Sequence, residues 1–61
     1  MPKLTQVELQ NLRHLIGAHE TASQKMSAYA EQSTDTKIKA YFKKSAKDAQ
    51  QTKQDLMSFL N

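Results

Sequence analysis

Two runs of residues spaced alternately three and four apart flank the stretch STDT, Ser33 to Thr36, and they constrain this chain more than any other feature. The first run is Leu9, Leu12, Ile16, His19, Ser23, Met26 and Ala30. The second is Ile38, Phe42, Ser45, Ala49, Thr52, Leu56 and Phe59. Such spacing puts every member on one side of a helix, as in the seam of a bundle. The runs also mirror each other about Thr34. Leu12 falls opposite Leu56, His19 opposite Ala49, Ser23 opposite Ser45, Met26 opposite Phe42, and Leu9 opposite Phe59. Two helices folded back on each other satisfy both patterns at once.

Local signals agree. The chain holds one glycine and one proline, and Pro2 stands ahead of any element. Its Ala, Gln, Lys, Leu and Met are good helix formers. In LTQVEL, Thr5 reads as an N-cap, Glu8 as its capping-box partner, and Leu4 with Leu9 as the hydrophobic staple. The first helix is expected over about residues 5–32. Four consecutive capping-type residues end it and begin another, with Asp35 or Ser33 as N-cap. The second helix is expected over about residues 36–60. A turn of residues 33–35 is too short for anything but antiparallel neighbours.

One hairpin leaves apolar surface uncovered. Leu15, Ala22 and Tyr29 flank the seam on the first helix; Tyr41, Ala46 and Leu60 flank it on the second. A face that wide exceeds what one partner helix covers. The chain has 61 residues, is 38% hydrophobic and lacks cysteine, so no disulfide reinforces a small core. The expectation is an all-α hairpin paired as a homodimeric four-helix bundle. Its interface residues are Leu9, Leu12, Leu15, Ile16, His19, Met26, Tyr29, Ile38, Tyr41, Phe42, Leu56, Phe59 and Leu60. A lone hairpin exposes Leu15, Tyr29 and Tyr41. Apolar runs of two or three residues exclude a transmembrane helix, and no signal-peptide hydrophobic segment is present, so synthesis in the cytoplasm is expected.

The stretch LRHLIGAHE contains both histidines. Five residues apart, they point about 140° away from each other on a helix and cannot share one metal. His14 falls on the outer face. His19 falls in the seam, where a histidine bonded to a neighbouring polar group is the preferred reading. The competing reading is a metal site of His19, Glu20 and Asp48. A di-metal carboxylate bundle requires Glu-x-x-His on facing helices, and the second helix has neither residue type. No nucleophile elbow, phosphate loop or catalytic carboxylate pair occurs. No cofactor and no enzymatic activity are expected.

The net charge of +3 arises after Thr34, where six lysines meet Asp35, Asp48 and Asp55. Lys43, Lys44 and Lys47 share the outer face. Without arginine or interleaved aromatic side chains, this reads as a solvated helix face rather than a nucleic-acid strip. Weak, non-specific phosphate binding is the alternative.

With these residues placed, ELQNLRHLIGAHE together with YAEQSTDTKIKAYFKKSAKDAQQTKQDLMSFL resembles small spore-coat proteins of the coat-F family, in their short clostridial form. The likeness runs from about Leu4 to Leu60 and is densest in LTQVEL, YAEQSTD and KAYFKKSAKDAQQ. It implies a ferritin-like helical hairpin paired into a bundle, associated with the spore and in contact with other coat proteins. The implied role is structural. Metal binding in the ferritin-like manner is the alternative, and the second helix lacks the histidine and glutamate it requires.

Overall fold

The computed structural model describes residues 4–60; Pro2 lies outside them. Helix α1 spans Gln6–Gln32, helix α2 spans Thr36–Met57, and Ser58–Leu60 form a single 3₁₀ turn. No strand occurs among the described residues, and the two helices pack against each other.

The helix ends follow from side-chain chemistry. Thr5 has extended backbone angles and its hydroxyl accepts the Glu8 N–H at 3.1 Å. The Glu8 carboxylate in return accepts the Thr5 N–H at 2.9 Å. Two of the donors that every helix start leaves orphaned are thereby satisfied. At the other end, Ser33 leaves the helix in an extended conformation and its N–H returns to the carbonyls of Tyr29 and Ala30. Asp35 then caps α2, its Oδ1 accepting from the N–H groups of Lys37 and Ile38 at 2.9 and 3.0 Å. The α-helical pattern of α2 stops at Met57, and the last turn tightens to 3₁₀ geometry where its carbonyls run out of partners. The Ser58 hydroxyl donates to the Asp55 carbonyl at this point, at 2.6 Å.

The expected seam on α1 is at least half-buried at all seven positions, with Leu12 and Ala30 buried. On α2 the expected positions Phe42, Ser45, Ala49, Thr52 and Leu56 are half-buried, and the stripe widens toward one flank. Ala46, assigned from the sequence to a flanking column, is buried at 7% exposure. Lys39 and Lys53 are half-buried beside it, whereas Ile38 and Phe59, expected in the seam, remain about half exposed. The aliphatic stems of the two lysines can cover apolar surface while their ammonium groups stay in water.

The hairpin is slender, with Cα extents of 46 × 16 × 11 Å. Its radius of gyration is 14.3 Å, against about 10.5 Å for a compact chain of this length. No large side chain is fully buried.

Candidate assembly interface

Two helices in contact divide the remaining surface into two long sides, and the residues on these sides differ sharply. On one side Phe42 is sandwiched between two tyrosines. The Tyr29 ring lies 5.5 Å from it across the helix pair and the Tyr41 ring 5.8 Å from it on α2. Both separations are those of favourable tilted aromatic pairs. The outer surfaces of the tyrosines stay open, Tyr29 at 45% and Tyr41 at 67% exposure. At about 100° per residue, Leu15 and Ala22 follow Tyr29 along this side of α1, and Phe59, in the 3₁₀ turn beyond α2, is also exposed. Leu15 is 48% exposed. The sequence-predicted residues Leu15, Tyr29, Ile38, Tyr41, Phe59 and Leu60 are therefore all exposed. Leu9, Ile16, His19, Met26, Phe42 and Leu56 line the helix–helix contact around buried Leu12.

The opposite side is closed by polar chemistry. The Ser23 hydroxyl donates to the Ala46 carbonyl at 3.1 Å, so Ser23 reaches the backbone of α2 rather than the expected Ser45. One turn away the Lys53 ammonium donates to Glu20 Oε2 at 2.7 Å. Lys43, Lys47, Gln50 and Gln54 continue this side beside Ser27. The mirror register of the two runs places Lys53 opposite Leu15, and for that reason the Glu20–Lys53 pair is not evident from the sequence. Long side chains lean toward the start of their own helix. On antiparallel helices that lean brings partners together across a register offset.

The candidate metal residues are not brought together. Nδ1 of His19 lies 2.8 Å from the Leu15 carbonyl, one turn back in the same helix. A carbonyl only accepts, so Nδ1 carries the proton and Nε2 is the ring's remaining ligating atom. Glu20 is held by Lys53, and its other oxygen accepts from Gln24 at 3.3 Å. The Lys53 hydrogen bond holds the Glu20 carboxyl below its ordinary value, and the Gln24 bond acts in the same direction. Asp48 stands on the outside of α2, bonded to Lys44 at 2.8 Å. This contact raises the Lys44 ammonium above its ordinary value. Among the described residues no three His, Asp or Glu side chains gather into a possible metal site. His14, with Arg13 and Gly17, borders only a shallow depression on the outside of α1.

The lysines behave similarly. Lys43, Lys44 and Lys47 are exposed, but Lys44 and Lys53 are each engaged by a carboxylate. Among the described residues no helix is long and apolar enough to cross a membrane. What this arrangement offers chemically is a surface, one apolar side backed by one polar side.

No family model matches the chain, and no curated protein or solved structure matches it at a significant level.

Proposed function

We propose that the chain acts by self-assembly. Two hairpins close their apolar sides on each other as a homodimeric four-helix bundle of ferritin-like architecture. The bundle is a structural component associated with the spore coat, made in the cytoplasm and packed against other coat proteins.

The observation that carries the assembly is the exposure of Leu15, Tyr29, Tyr41 and Phe59 along one side while the other is closed by ion pair and hydrogen bond. Surface area gives the scale. The hairpin exposes 4989 Å². A compact protein of its 6.9 kDa mass exposes about 4,000 Å². The excess, about 1,000 Å², is close to the roughly 800 Å² that each partner contributes to an ordinary stable interface. The coat association is supported by the likeness of LTQVEL, YAEQSTD and KAYFKKSAKDAQQ to coat-F proteins, and a self-associating bundle without a gathered reactive site suits a structural role.

Charge placed on the apolar side tests the assembly. The double variant Leu15→Lys, Tyr41→Lys should sediment at half the mass of the parent chain. Equal masses for both would remove the interface from that side. Mass spectrometry of purified spores, set against vegetative cells of the same organism, tests the location. The chain should be enriched in the spore-coat extract, and its confinement to vegetative lysate would contradict the placement.

A further inference from the structure

From the charges bordering the apolar side we infer that the two hairpins pair with their turns at the same end of the bundle; this rests on the dimer proposed above and specifies its geometry.

The borders of the apolar side differ in charge: only the α2 border carries acidic groups. At about 100° per residue, the outer edge of this side on α1 presents His14 and Lys25. The outer edge on α2 presents Asp48 and Asp55, together with Lys44, which Asp48 holds, and Lys37 beside the turn. All six are exposed. The contacts of Ser23 with Ala46 and of Tyr29 with Phe42 fix the levels along the hairpin. Lys25 stands within one turn of the level of Asp48, and His14 within one turn of the level of Asp55.

Two symmetric pairings cover the side. If the two-fold axis runs along the hairpin, every residue keeps its level, and α1 of one copy lies against α2 of the other. Lys25 then meets Asp48 of the second copy, and His14 meets Asp55. Asp48, already bonded to Lys44, stands between two ammonium groups. If the axis instead crosses the hairpin, the turns lie at opposite ends and like helices face each other. At full overlap His14 then faces Lys25, and Asp48 faces Asp55. The first pairing brings unlike charges together on both borders; the second brings like charges together on both. Charges flanking a helical seam select orientation in this way. The same-end pairing also stacks Tyr29 of one copy at the level of Tyr41 of the other, since levels are preserved.

The chain has no cysteine, so Thr34→Cys places one spin label per copy on the exposed turn. Pulsed dipolar spectroscopy on the full-length labelled protein reads the answer directly. Same-end pairing puts the labels on the order of 10–20 Å apart, given helix spacings of about 10 Å. A separation approaching the 46 Å length of the hairpin overturns the orientation while leaving the dimer intact. No dipolar coupling, with a scattering mass of one chain, overturns the dimer and the orientation with it. Charge exchange supplies an independent reading. Lys25→Glu should weaken the dimer, with Kd rising several-fold, because the lost pair occurs twice. Adding Asp48→Lys should recover most of that loss. A Lys25→Glu dimer tighter than the parent would contradict same-end pairing, because in the crossed arrangement the new glutamate would face His14.

Discussion

His19 donates Nδ1–H to the Leu15 carbonyl and occupies a half-buried seam position between Ile16 and Ser23. A ring tied only to its own helix gains nothing from the facing helix, and an apolar side chain of similar size fits the seam better. His19→Leu is expected to stabilise the protein by about 1 kcal/mol in chemical denaturation; a loss of that size would show that the ring has a partner beyond Leu15. The residue type and its satisfied state were legible in the sequence. The identity of the acceptor was not, because it depends on a rotamer that spacing does not encode. Glu20 behaves differently. Its carboxyl is held below the ordinary value of 4.5 by the Lys53 hydrogen bond. A carboxyl lowered in the folded state stabilises fully above its unfolded value and loses that contribution as pH falls through the lower, folded value. Stability should therefore fall as pH drops below about 4.5, and part of that fall should be absent in Lys53→Met. Parallel pH–stability curves for the two proteins would show that the pair contributes nothing.

Each helix begins with a device built from neighbours in sequence, and such devices can be read without a structure. Thr5 with Glu8 and Asp35 with the N–H groups of Lys37 and Ile38 are of this kind. Thr5→Ala and Asp35→Ala are each expected to cost about 1 kcal/mol. The Asp35 change should cost the more, since its carboxylate serves two donors. Gly17 lies mid-helix on the side of α1 away from α2, and a Cβ there would meet nothing within 4 Å. Gly17→Ala should raise stability by about 0.5–1 kcal/mol and leave association unchanged. A drop in dimer affinity would mean that this surface is occupied in the assembly. The widening of the buried stripe on α2 was not legible in its pattern. Reading residues as either apolar or polar puts Lys39 and Lys53 outside, yet their stems are apolar enough to lie half-buried beside Ala46.

At the scale of the molecule, the two mirrored runs and the STDT break define a helical hairpin, and the structure has one. What lies beyond one chain is set by surface rather than by sequence spacing. Among the described residues three are buried, Leu12, Ala30 and Ala46, a small core for two helices of this length, and one side stays apolar and exposed. If a second copy covers that side as proposed, association and folding should be one process. The most direct measurement is the thermal midpoint, followed by circular dichroism across a hundredfold range of protein concentration, with the mass determined by sedimentation at each end. The midpoint should rise with concentration, and the mass at the upper end should be twice 6.9 kDa. A midpoint indifferent to dilution, with a single-chain mass throughout, would contradict the account.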